Sequence, residues 1–145
     1  MTHEDAGHYA AKHSKGTALD ERIAVEVRKK IREGKVSCAN AHRIAEELGI
    51  TPAEGGVAID LLEARIERCQ LGLYGYSPKR RIVEAAETVS PELEEAIKGT
   101  LSEGKLTCLS SWEIAKRLGI PKMAVSSACE TLGIKLSFCQ LGAFK

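Results

Sequence analysis

The part of the sequence that decides the fold runs from Cys108 to Gly142 and reads CLSSWEIAKRLGIPKMAVSSACETLGIKLSFCQLG. Near its start, Ser110-Ser111-Trp112-Glu113 has the pattern of a capping box, in which a serine and a glutamate three residues later satisfy the free amides of a helix start. Apolar residues then recur at helical spacing up to Leu118. Gly119 provides a stop because glycine adopts positive φ without a steric penalty. We therefore expect a helix that ends at Leu118.

A second helix and a strand are expected to follow. Pro121 fits the first turn of a helix, where its missing amide proton costs nothing. That helix is predicted to run from about Lys122 to Leu132 and to end at Gly133. Residues 134–138 then alternate apolar and polar side chains, which is the period of a half-buried strand.

This order of elements, with its three-residue turn, resembles the winged helix-turn-helix family. The resemblance covers about residues 101–142, and a weaker copy lies at 31–72. It rests on the segments IAKRLGI at 114–120, VSS at 125–127 and LGI at 132–134. What the resemblance implies is a DNA-binding transcriptional regulator whose second helix enters the major groove of double-stranded DNA.

Where the family places its groove-facing residues, the second helix has side chains that can donate to phosphates or base edges, namely Lys122, Ser126 and Ser127. The same positions of the weaker copy have no donor side chain and hold Pro52, Gly56 and Val57. The first helix pair thus departs from the DNA-reading pattern, and we interpret it as a packing or protein-contact surface.

Two adjacent glycines, Gly55 and Gly56, fall inside the second helix of the weaker copy. Each costs roughly 1 kcal/mol relative to alanine in a helix. We expect them where another backbone approaches closely.

The chain carries the pattern twice. A shift of 70 positions aligns the halves without a gap, including EGK at 33–35 with 103–105, LGI at 48–50 with 118–120, and CQLG at 69–72 with 139–142. A match of this length predicts an internal duplication.

The predicted fold is mainly α with short β-strands, in two winged-helix-like units. The expected divisions are a flexible N-terminal arm at 1–19, a first unit at 20–75, a basic linker at 76–89 and a second unit at 90–145. Units of this size bury only a modest share of their surface, so we expect them to pack as a pseudo-dimer within one chain.

Two segments lie outside the regular patterns. The sequence of the arm predicts one helical turn around Tyr9 to Lys12. Its histidines, at positions 3, 8 and 13, have a spacing that favours a solvated tail over a metal site.

The linker holds the densest basic cluster outside the first helix, which consists of Lys79, Arg80 and Arg81 and is predicted to contact the DNA backbone. We expect a short helix from Ile82 to Val89. Asp20 and Ser90 are predicted to cap the helices that open the two units.

The five cysteines are an odd number in a chain without an apparent export signal, which favours reduced thiols. Four of them occupy equivalent positions on strands that a winged fold would pair, and these are Cys38, Cys69, Cys108 and Cys139. Buried core cysteines are the favoured interpretation. Zinc or an iron–sulfur cluster is the alternative, although no C-x-x-C motif occurs.

Composition narrows the classes of function. With 43% hydrophobic and 28% charged residues the chain is typical of a globular protein, and the net charge of +1 requires any DNA footprint to be local. No apolar run is long enough for a membrane helix, and a cytoplasmic location is expected. No catalytic constellation or phosphate-binding loop occurs, so the sequence predicts neither an enzyme nor a cofactor.

The alternative to DNA binding is a protein interaction or assembly module on the same fold. Trp112, at the position of His42, is predicted to be a core or interface anchor.

Overall fold

The computed structural model describes residues 8–14 and 16–145 and shows a mainly helical protein with a few short strands. His3, one of the histidines predicted to lie in a solvated tail, is outside the described residues. In chain order the elements are α1 (Glu21–Lys30), β1 (Lys35–Ser37), α2 (Cys38–Leu48), α3 (Pro52–Leu61), β2 (Arg65–Glu67), α4 (Pro91–Lys98), β3 (Leu106–Thr107), α5 (Cys108–Leu118), α6 (Lys122–Leu132) and β4 (Leu136–Ser137). A 3-10 helix at Tyr9–Lys12 confirms the predicted turn in the arm.

The chain divides into two compact units, of which unit 1 is formed by two separate segments of the sequence. Unit 1 contains the described residues up to Cys69 together with Gln140–Lys145, whereas unit 2 contains Gln70–Cys139. The C-terminal segment therefore belongs to the same unit as α1, α2 and α3.

Each unit has the same order of elements, at a shift of about 70 residues. A helix is followed by a short strand, two helices joined by a three-residue turn, and a second strand. The strands pair in parallel, with Val36 opposite Ile66 in unit 1 and Leu106 opposite Leu136 in unit 2. In unit 2 the helices close over a core of Leu93, Ile97, Leu106, Ile114, Ala115, Val125, Ala128 and Cys129.

Before β1 the chain makes a tight turn at Glu33 and Gly34, whose φ values are 53° and 75°. Two successive positive φ values are the geometry of a type I′ turn, which joins antiparallel neighbours through two central residues. Arg32 and Lys35 accordingly form an antiparallel bridge. The same EG sequence makes the same turn before β3, so the repeated motif has a structural role in both units.

The helix ends that glycine was predicted to provide are confirmed, but one helix start differs. The φ of Gly119 is 67°, and Asp20 and Ser90 cap α1 and α4 as expected. The prediction that Ser110 caps α5 is wrong, because the Thr107 side chain accepts from the amide of Ser110 at 3.1 Å and the helix begins at Cys108. The capping residue, Thr107, is also the last residue of β3. Its position is therefore set by the pairing of β3 with β4, which neighbouring residues in the sequence do not reveal.

Residues 82–89 do not form the short helix expected from their sequence. Three of their amides instead donate hydrogen bonds to carbonyls elsewhere in unit 2. The amides of Ile82 and Val83 donate to the Gly72 carbonyl at 2.9 and 3.1 Å, and the amide of Ala86 donates to the Ser127 carbonyl at 3.1 Å. These long-range hydrogen bonds replace the i to i−4 bonds that a helix would need.

A search of the helices in the described residues finds none that is long and apolar enough to span a membrane.

Candidate nucleic-acid interface

The place where α5 turns into α6 carries three cationic side chains. Lys116 and Arg117 are exposed in the last turn of α5, and Lys122 is the first residue of α6. Gly119 in the left-handed conformation makes the turn between the two helices short. We call Lys116, Arg117 and Lys122 the basic corner of unit 2.

Trp112 forms one wall of this corner. The ammonium group of Lys122 lies 4.5 Å from the centroid of the Trp112 ring, which is within the range of a cation–π interaction. A groove of about 520 Å³ runs beside the ring and is also lined by Lys116, Ile120 and Pro121. The corner thus combines positive charge with an aromatic and apolar floor.

Ser126, which the sequence placed in the DNA groove, faces the interior of unit 2. Its side chain is 1% exposed. The hydroxyl donates to the Leu71 carbonyl at 2.7 Å and also lies 3.1 Å from the Met123 carbonyl. Because the side chain is buried and already hydrogen-bonded, the Ser126 hydroxyl is not available to contact bases or phosphates, contrary to the prediction from sequence.

We predict that Ser126→Ala destabilises unit 2 by about 1–3 kcal/mol, because it leaves the buried Leu71 carbonyl without this donor. Ser127→Ala is the matched control, since the Ser127 side chain is half-buried on the neighbouring position of the same helix. Urea unfolding followed by circular dichroism measures both. Equal stabilities of the two variants would contradict the role of this hydrogen bond.

Of the remaining predicted cations, Arg81 lies at the other end of α6. Lys79, Arg80 and Arg81 are exposed, and Arg81 forms an ion pair with Glu130. Glu130 is eight residues beyond Lys122, which corresponds to about 12 Å along a helix. The structure therefore does not bring Arg81 into contact with the basic corner.

The C-terminal part of α6 is covered by residues that precede α4. The Ser127 carbonyl accepts from Ala86, and the Thr131 hydroxyl donates to the Ala86 carbonyl at 2.6 Å. Val83 is 7% exposed. The N-terminal residues Lys122, Met123 and Ala124 are half-buried, whereas Glu130 and Thr131 remain exposed near the C-terminal end of the helix.

In unit 1 the equivalent helix α3 is more deeply enclosed. A Cβ added to Gly56 would collide with the backbone carbonyl of Leu141, which confirms the predicted close approach of another backbone at this glycine. Nothing lies within 4 Å of a Cβ added to Gly55, so there the prediction is wrong. Gly56 and Ser126 are equivalent under the 70-residue shift, as are Leu141 and Leu71. In unit 1 the Leu141 carbonyl packs on Gly56, and in unit 2 the Leu71 carbonyl accepts a hydrogen bond from Ser126.

The arm also packs on α3. Tyr9 is 3% exposed, and the carboxylate of Glu63 accepts from the amides of Tyr9 and Ala10 at 2.9 and 2.7 Å. Asp60, on α3, lies 3.0 Å from the ammonium group of Lys12 and 2.8 Å from Nε2 of His13. The arm thus covers the C-terminal part of α3, whereas Ala53 and Glu54 near the start of the helix are exposed.

The four equivalent cysteines lie just outside the strands, which corrects their predicted placement on them. Cys38 and Cys108 are the first residues of α2 and α5, and Cys69 and Cys139 come two residues after β2 and β4. Among residues 8–14 and 16–145, no group of three or more histidine, cysteine or acidic side chains is arranged to hold a metal ion. The fifth cysteine, Cys129, lies in the unit 2 core, and burial raises the pKa of its thiol to about 11. It is therefore protonated at neutral pH and a poor nucleophile.

Comparison of the chain with known proteins finds no matching family model, no matching curated protein and no matching solved structure.

Two residues of the basic corner, Lys116 and Arg117, were not among the sites predicted from the sequence. The signal that identifies them is the alignment of the two halves. Under the 70-residue shift they correspond to Glu46 and Glu47, so the charge at this corner is inverted between the units.

Proposed function

We propose that the protein is a DNA-binding regulator of transcription, acting in the cytoplasm, and that unit 2 makes the contact with double-stranded DNA. The observation that carries the proposal is the basic corner at the N-terminal end of α6. In helix-turn-helix proteins the N-terminal residues of the second helix reach the base edges. Lys122 occupies that position here.

Each member of the proposed interface has a defined part. Lys122 enters the major groove, where a lysine can donate to the O6 and N7 acceptors of guanine. Lys116 and Arg117 bind phosphates beside the groove, and Lys79 and Arg80 extend the backbone contacts. Ser127 is a secondary contact because its side chain is half-buried.

The duplication is part of the proposal. We regard the two units as winged-helix-like copies of one ancestral unit, of which unit 2 keeps the DNA-binding role. Unit 1 has glutamates in place of Lys116 and Arg117, and the arm packs on the C-terminal part of its second helix. On this view unit 1 does not bind DNA.

The test is a fluorescence anisotropy titration with a generic duplex at several salt concentrations. If the four cations assigned to the DNA backbone each neutralise one phosphate, the slope of log K against log salt will be about −3.6. Lys116→Glu/Arg117→Glu should weaken binding by about tenfold or more and reduce the magnitude of the slope by about two units.

The matched control is Lys29→Glu/Lys30→Glu on α1, which changes the net charge equally at exposed positions of unit 1. If both double variants weaken binding to the same extent, the interaction depends on net charge and not on the basic corner. Undetectable binding of the wild-type protein at low salt would remove the proposal.

A second candidate function is a protein interaction module without DNA binding. The packing of Tyr9, Lys12 and His13 on the C-terminal part of α3 favours it, because this second helix already serves as a surface for protein contacts. The same titration separates the candidates, since this function predicts no affinity for duplex at any salt concentration.

A further inference from the structure

The two helix-turn-helix corners share one backbone geometry. α2 and α5 each have 11 residues and end in a left-handed glycine, with φ and ψ of 66° and 31° at Gly49 and 67° and 33° at Gly119. A three-residue turn follows in each case. Differences between the corners are therefore differences of side chain.

The charges at the two corners are opposite. The exposed positions that hold Lys116 and Arg117 in unit 2 hold Glu46 and Glu47 in unit 1. A third exposed position also changes sign, with Arg43 in unit 1 and Glu113 in unit 2. We call Glu46 and Glu47 the acidic corner of unit 1.

The two corners also differ in the size of their side chains. Leu109, three residues before Trp112 on α5, is 52% exposed, and Trp112 lines the groove of about 520 Å³. The equivalent positions on α2 hold Ala39 and His42, which are smaller. The corner of unit 2 thus carries larger apolar side chains than the equivalent positions of unit 1.

The acidic corner is not explained by the stability of its own helix. The C-terminal end of a helix carries partial negative charge and favours cations such as Lys116 and Arg117. Glu46 and Glu47 stand in the last turn of α2, where this field is unfavourable for a carboxylate. Their placement against the helix dipole points to a role outside the helix.

We propose that the chain associates with itself, the acidic corner of one copy docking on the basic corner of a second copy. The occupant of the Trp112 groove is then the α2–α3 corner of another molecule of the same protein. Because the two surfaces differ, the contact is heterologous and extends to further copies or closes into a ring. In combination with the proposed function, DNA and a second copy compete for Lys116, Arg117 and Lys122.

The experiment is sedimentation velocity over a range of protein concentrations, without DNA. At about 0.01 M ionic strength, where the Debye length is about 30 Å, the wild-type protein should form oligomers that dissociate at about 1 M salt. Glu46→Lys/Glu47→Arg makes both corners basic, and Lys116→Glu/Arg117→Glu makes both acidic. Each variant alone should associate about tenfold more weakly or worse.

An equimolar mixture of the two variants is the decisive sample. It again contains acidic and basic corners on different molecules, so association should return to a level near that of the wild-type protein. A mixture that remains as weakly associated as the separate variants overturns the proposal. Circular dichroism of each variant establishes that it is folded. The control Glu87→Lys/Glu95→Arg reverses two exposed glutamates that belong to neither corner, and this variant should associate like the wild-type protein.

Duplex titration of the wild-type protein separates this inference from the proposed function. A protein that binds duplex but sediments as a monomer at every concentration overturns self-association and leaves DNA binding standing. A protein that associates through its corners but does not bind duplex supports self-association and removes the DNA-binding proposal.

Discussion

Gly56→Ala is expected to destabilise unit 1 by about 3 kcal/mol, because the added Cβ collides with the backbone carbonyl of Leu141. The clash is with the main chain, which cannot move aside as the end of a flexible side chain can. Relief would require α3 and the C-terminal segment to separate. Thermal or urea unfolding followed by circular dichroism measures the loss.

Gly55→Ala is the matched control, one residue earlier in the same helix. A Cβ at this position meets no atom within 4 Å. Alanine is about 0.8–1.0 kcal/mol more favourable than glycine inside a helix, so this variant should be as stable as the wild-type protein or more stable. Gly56→Ala with a stability equal to that of Gly55→Ala would show that α3 and Leu141 are not in this close contact in solution.

Leu141→Ala is expected to destabilise unit 1 by about 2–5 kcal/mol, although the residue is near the C-terminus of the chain. Its side chain is 1% exposed, and deletion of a buried leucine leaves a cavity as well as losing transfer free energy. Since Leu141 belongs to the same unit as α3, hydrogen exchange should show faster exchange in α3 than in α6.

Leu71→Ala provides the reciprocal measurement. Leu71 is 0% exposed, follows β2 in sequence and belongs to unit 2, so its replacement should accelerate exchange mainly in α6. The opposite pattern, with Leu141→Ala affecting α6 and Leu71→Ala affecting α3, would contradict the division of the chain into these two units.

The local elements of the fold could be predicted wherever one or two neighbouring residues determine them. Asp20 and Ser90 cap helices because their side chains reach amides two or three residues away, and Gly119 ends α5 because it adopts positive φ. The predicted helical turn at Tyr9–Lys12 is also present. The caps and the glycine end depend only on neighbouring residues, whereas the turn at Tyr9–Lys12 is also held by Glu63, which accepts from the amides of Tyr9 and Ala10.

Predictions failed where distant partners decide the outcome. Residues 82–89 have a helical pattern, yet their amides bind carbonyls of Gly72 and Ser127. Ser126 has the position and chemistry of a groove-facing residue, but its hydroxyl is used by Leu71, 55 positions away. For the candidate site, Lys122 was identified from its place in the motif, whereas Lys116 and Arg117 emerged from the comparison of the two corners.

The sequence by itself determined the helix-turn-helix corners, the left-handed glycines between their helices and the opposite charges that the two corners carry, because these depend on residues within a few positions of one another. Only the tertiary structure decided that the segments after β2 and β4 belong to different units from the strands they follow, and that the second helices are partly covered. The physical reason is that strand pairing and burial are set by contacts between segments far apart in the chain, and such contacts leave no periodic signal in either segment. Gly56 is the exception, since a glycine that is costly in a helix marks the close approach of a second backbone without saying which one.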